Sequence, residues 1–269
     1  MAHLIKLDEC ISRYQLDLNT YINRFIQIKR RRFEQWKTAW ETQAGQIYKS
    51  KLRGITTQEE FKAKFHLWLF KQQIKWATST AEKFSECPPH YLKDHWLKQC
   101  LAELNDVTLL FCNPVIQMKK AAVPLESIIL TPYEIWCVKH LQGEKQSVFQ
   151  TLSQRKWREI TSRGQINIVN PLISLRHTGA IVSNILKQHH ITRPVRLCLL
   201  SMQSYIENVE NAGQIEFYDC RGAAGWLENL NKPHSLLKHD QLVAAKTLYK
   251  YCSTKANNRK NQEPTYQLN

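Results

Sequence analysis

Between residues 107 and 141 the chain carries three apolar runs of strand length. They are Val107–Met118, Leu125–Leu130 and Ile135–Leu141, and only Thr131-Pro132-Tyr133 and Glu134 separate the last two. Proline presets the backbone for the early part of a tight turn, so these two runs are expected to fold back as a hairpin. Ser147–Leu152 reads as a further strand. Asn170-Pro171 then opens a helix, because Asn is a favoured N-cap and Pro a favoured first helical residue. Leu172, Leu175, Gly179, Val182 and Leu186 form its apolar stripe, and Pro194 marks its end. Val195–Leu200 and Ile215–Cys220 read as two more strands. Trp226 and Leu230 fall on a short helix, and a last helix is expected over residues 235–252. Strands flanked by helices in this order predict an α/β fold with a mixed sheet.

The first third of the chain has a different texture. From Tyr21 to Tyr48, Ile22, Phe25, Ile26, Phe33, Trp36 and Trp40 recur at helical spacing. Thr57 and Glu60 form a capping-box signature, followed by Phe61, Phe65, Trp68, Leu69 and Trp76 on one side of a second helix. Trp36, Trp40, Trp68 and Trp76 are core candidates. Cys87-Pro88-Pro89 closes the region. The expected organisation is an all-α N-terminal extension over 1–90 and an α/β domain over 91–232. A C-terminal helix over 233–254 and a disordered polar tail over 255–269 follow.

The formal net charge of +15 suits a polyanionic partner without dictating a fold. The excess is spread evenly, since residues 1–90 hold 16 basic and 9 acidic side chains, and a similar excess follows. Arg30, Arg31 and Arg32 are candidate phosphate contacts, as is Lys139. Three successive helical residues fan over about 200°, so the three arginines cannot all face one groove. The eight cysteines contain no CxxC pair, which leaves a zinc knuckle unsupported, and most of them read as small buried hydrophobes of a reducing compartment. His189–His190 point too far apart on a helix to share a metal. The longest uncharged runs, Val107–Met118 and Gly164–Leu175, are 12 residues, short of the roughly 20 needed to span a bilayer. With charges at Lys6, Asp8 and Glu9, the opening segment is unlike a signal peptide. A cytoplasmic location without membrane insertion is the expectation.

Three features stand together: the hairpin Glu126–Val138, Gly143 just beyond it, and the Asn170-Pro171 helix followed by the strand after Pro194. In combination they resemble the nuclease-related domain (NERD) of bacterial proteins. The likeness covers about residues 91–230, and the N-terminal helices look like the extension of a bacterial subgroup. The resemblance implies a PD-(D/E)xK nuclease-like sheet. In that superfamily an Asp on the first hairpin strand and a Glu two residues before a Lys on the second hold Mg²⁺ and activate water. Here Glu126 takes the Asp position. Matching the turn puts Lys139 at the second acid and Leu141 at the Lys. Matching Gly143 instead puts Cys137 at the acid and Lys139 at the Lys. Neither alignment leaves a second acid in the motif.

The leading expectation is therefore a catalytically inactive NERD-like binding or structural module, with nucleic acid as a candidate partner and no cofactor. One alternative is a divergent Mg²⁺-dependent DNA nuclease whose second acid has moved, with Glu134, Glu144, Asp94 and Glu103 as sources. Another is a protein-interaction factor that docks its partner on the Trp-rich helices.

Overall fold

The computed structural model describes residues 1–42, 52, 54–118, 121–207, 213–231 and 236–259. The chain divides into two compact units. One comprises residues 1–9 and 88–254, the other residues 10–87 and 255–269.

The larger unit has the expected α/β class, and it also takes in residues 1–9 and the C-terminal helix. Its central mixed sheet orders six strands as β1-β3-β6-β7-β11-β13. These are β1 (His3–Leu7), β3 (Leu109–Cys112), β6 (Ser127–Leu130), β7 (Ile135–His140), β11 (Val195–Leu200) and β13 (Ile215–Tyr218). β6 runs antiparallel to β3 and β7, while β7, β11 and β13 run parallel. Strands β6 and β7 meet through the Thr131–Glu134 turn. There Thr131 Oγ1 accepts from the Glu134 amide and the Thr131 amide donates to the Glu134 carbonyl. Most of these strands are buried along their length, as expected for a sheet covered on both faces.

Helix α5 (Pro171–Gln188) covers one face of β7 and β11. Its first turn is capped as the Asn-Pro pair dictates. Asn170 Oδ1 accepts from the Leu172 amide at 2.9 Å, and Asn170 Nδ2 donates to the Gln154 carbonyl at 2.8 Å. Gly179 lies against the Leu197 side chain, which leaves no room for a Cβ and lets the helix sit close to the sheet. The opposite face is covered by α4 (His95–Glu103) and α6 (Ala223–Asn231). There the Trp136 ring packs edge-on to Trp226, with centroids 5.6 Å apart. The short helix α3 (Pro89–Lys93) precedes α4. The C-terminal helix α7 (His239–Tyr251) packs beside α5, and its Gln241 donates to the carbonyls of Val107 and Leu130.

Two findings in this unit depart from the sequence reading. Residues 3–7, expected within a helical region, form β1 parallel to β3. Pairing with a strand a hundred residues away, with both faces buried, overrides local preference. A second sheet, β10-β9-β8-β12, joins β8 (Val148–Thr151), β9 (Lys156–Thr161), β10 (Gly164–Val169) and β12 (Tyr205–Glu207), of which only β8 was expected. Val115–Met118 (β4) forms a separate ribbon with β5 (Ala121–Pro124).

The smaller unit is built on helices α1 (Leu18–Glu41) and α2 (Gln58–Ala77), preceded by a 3-10 turn at Arg13–Gln15. The capping box forms as the sequence predicts, with Thr57 and Glu60 bonding each other's amides. Aromatic rings fill the seam, Trp36 against Phe65 and Phe33 against Phe61 and Phe65. Trp36 and Trp76 are buried, but Trp40 and Trp68, also expected in the core, are half-buried. The chain's end is not wholly a tail. Residues 257–258 (β14) pair with 83–84 (β2), because the segment offers its backbone to a short open edge there. Residues 260–269 lie outside the described residues. Among the described residues, no helix is long and apolar enough to cross a membrane.

Candidate functional site

The β6–β7 register decides what stands opposite Glu126. Ser127 pairs with Val138 and Ile128 with Cys137, so the next step outward sets Glu126 across from Lys139. Lys139 Nζ donates to Glu126 Oε1 at 2.9 Å. The carboxylate side chain is 14% exposed and the lysine 31%. The Glu126 amide donates to Thr178 Oγ1 on α5 at 3.0 Å, which anchors the start of β6 to the helix.

The other motif positions carry no chemistry of their own. Cys137 faces the same side as Lys139 but is wholly buried, and burial pushes its thiol up to about 12, far from the thiolate needed for ligation or attack. Leu141 is buried just past the strand, its amide bonded to the Leu200 carbonyl. Three of the four alternative acids are engaged elsewhere. Glu134 accepts from Arg196 Nε and from Trp136 Nε1, on the face away from Lys139. Glu144 accepts from Ser162 Oγ, and Asp94 caps α4 through the Leu97 amide. Glu103 lies exposed at the end of α4.

A hard divalent cation takes several oxygen ligands, most of them carboxylate or water. Here an ammonium group lies against the carboxylate at the hairpin. Among the described residues, no cluster of three or more His, Cys, Asp or Glu side chains has ligating geometry. The residues present do not fit Mg²⁺.

Two cavities stand apart from that pair. One, of about 390 Å³, opens where β7 and β11 end, a place where α/β sheets often present loops to ligands. His140 and Trp96 line it and stack on each other, with centroids 5.0 Å apart and planes 15° apart. Burial drives the His140 pKa down to about 4; Asp94 opposes the shift and Lys139 adds to it. The imidazole is therefore neutral at pH 7.

The larger cavity, about 710 Å³, is a cleft in the smaller unit between α1 and α2. Arg24, Arg31 and Arg32 line it from α1, Trp68 and Gln72 from α2, and Arg13 from the 3-10 turn. Among the described residues no Asp or Glu lines it. Arg13 sits 5.2 Å over the Trp76 ring. Its guanidinium is held below the ordinary arginine value, mainly by burial, with Arg259 and Arg24 adding to the shift.

The chain matches no family model, no curated protein and no solved structure.

Of the arginine run singled out in the sequence, Arg31 and Arg32 reach the cleft. Arg30, one position earlier, is exposed and does not line it. Lys139 belongs to the other unit and is held by Glu126. Two cleft arginines, Arg13 and Arg24, were not among the candidate contacts. The signal for Arg24 was present: it precedes Arg31 by seven residues, two helical turns along the same face.

Proposed function

We infer that this chain is a nucleic-acid-binding module built on a nuclease-like sheet, without hydrolytic activity at its hairpin. The observation that carries the reading is the Lys139–Glu126 ion pair. At the hairpin where a metal-dependent nuclease would present two carboxylates to a cation, this chain presents one carboxylate already neutralised by its own lysine. A metal entering there would have to displace an ammonium group at hydrogen-bonding distance and would gain a single acidic ligand. The likeness of the Glu126 hairpin and the Asn170-Pro171 helix to NERD proteins supplies the nuclease-like part of the reading.

Charge supports the choice of partner. Over residues 10–87, Lys and Arg outnumber Asp and Glu by 15 to 7, and the same stretch of chain forms an arginine-lined cleft. Polyanions bind such surfaces through phosphate contacts and counterion release, so affinity falls steeply with salt.

Digestion tests the reading. The purified chain is incubated with plasmid, linear duplex and single-stranded DNA, with Mg²⁺ or Mn²⁺ and with a chelator. The expected result is retention of DNA in gel shifts at low salt, with no metal-dependent cutting. Metal-dependent cutting that Glu126→Ala abolishes would overturn it.

A further inference from the structure

We propose that the cleft between α1 and α2 binds single-stranded nucleic acid. Arg24 and Arg31 take backbone phosphates of one strand, and Trp68 offers its ring to an unpaired base. This rests on the nucleic-acid part of the preceding reading and gives that binding a place and a strand form.

Arg24 and Arg31 are seven residues apart on α1, about 10.5 Å along the helix axis, and both point into the cleft. Both are exposed, and neither forms an ion pair among the described residues. Among the described residues no carboxylate lines the cleft to offset the like charges of Arg13, Arg24 and Arg31, and repulsion from Arg24 helps to lower the Arg13 pKa. A line of phosphates relieves that repulsion and accepts the planar guanidinium fork.

The aromatic content selects the strand form. Trp68 packs against Trp36 at 5.8 Å and Phe65 at 5.7 Å, which fixes its ring, yet it remains half-buried at the cleft wall. Unpaired bases stack on such rings, whereas bases inside a duplex keep their faces against each other. Gln72 stands one turn beyond Trp68 on α2, a neutral donor and acceptor suited to a base edge. The cleft's volume of about 710 Å³ lies in the usual range for bound small organic groups, which suits a short stretch of bases.

Fluorescence anisotropy of the full chain with a labelled oligothymidylate of roughly 12 nucleotides, its duplex and a labelled mononucleotide tests the proposal. The single strand is expected to bind tightest. Arg24→Glu/Arg31→Glu should weaken it at least about tenfold and lower the slope of log affinity against log salt by about 1.4, for two lost contacts. Trp68→Ala should weaken it at least about fivefold. Arg30→Glu/Lys64→Glu makes the same change in net charge at exposed positions outside the cleft and should leave affinity within about twofold. Circular dichroism confirms that each variant is folded. Equal loss in both double variants would show diffuse attraction and overturn the cleft assignment. So would a preference for duplex, or a mononucleotide bound as tightly as the oligomer. Those results leave nucleic-acid binding standing, whereas failure to bind any form at low salt ends both readings.

Discussion

Lys139 and Glu126 face each other across the β6–β7 hairpin with 2.9 Å between Nζ and Oε1, and Thr178 on α5 holds the Glu126 amide. The pair is more than an incidental surface contact, because the carboxylate is mostly shielded from water. Removing the lysine leaves a poorly solvated charge without its partner. Lys139→Ala is expected to cost about 1–2 kcal/mol in denaturant unfolding. The double variant Lys139→Ala/Glu126→Ala should recover part of that loss, since no orphaned charge remains. A loss in the double variant equal to the sum of the single losses would show that the two groups are not coupled.

His140 gives the larger unit a pH dependence. In the folded chain it takes up a proton only near pH 4, while in the unfolded chain it does so near the ordinary value of 6.5. Between these values the unfolded state holds more protons, so stability falls as pH drops through the window and levels off below it. The contribution is about 1–3 kcal/mol at full effect, after allowing for partial exposure. Urea melts at pH 7 and pH 4.5 measure it. His140→Gln, which cannot titrate, should lose correspondingly less between the two. Identical pH responses in the variant and the parent would remove His140 as a cause.

Gly143, which follows β7, is closed in by three polar side chains. A Cβ there would come 2.5 Å from Ser204 Oγ, 2.7 Å from Ser147 Oγ and 2.8 Å from Glu159 Oε1. These groups bond one another and the nearby backbone: Ser147 to Ser204, Ser204 to the Glu144 carbonyl, and the Glu144 amide to Glu159. Gly143→Ala must push this buried set apart. It is expected to destabilise the chain by about 1–3 kcal/mol in thermal unfolding. An unchanged melting temperature would mean that the network yields freely.

Much of the α/β domain was legible because local signals and tertiary packing agree there. Asn170-Pro171 caps and starts α5 as read, and the buried positions Leu172, Leu175, Gly179, Val182 and Leu186 are those of its predicted stripe. The β9–β10 hairpin escaped notice because β10 is exposed almost throughout, so its residues show no buried alternation. β1 escaped because His3 and Lys6 look like solvent-facing residues, and only the distant partner strand accounts for their burial. At the hairpin, a shift of one residue in strand pairing would turn Lys139 to the other face, so residue types alone left its partner open. The cleft was half visible. Arg31 and Arg32 were in view as a basic run, but which of the three arginines faces α2 depends on how two helices pack, and Arg13 arrives from a separate turn.

The most direct test of the hairpin's chemistry is calorimetric titration of the chain with Mn²⁺, beside Glu126→Gln. With Lys139 already neutralising Glu126, the two proteins should give the same featureless titration up to about 1 mM metal. A Mn²⁺ site tighter than that in the parent chain, lost in Glu126→Gln, would contradict the account, because it would mean that the carboxylate leaves Lys139 to serve a metal.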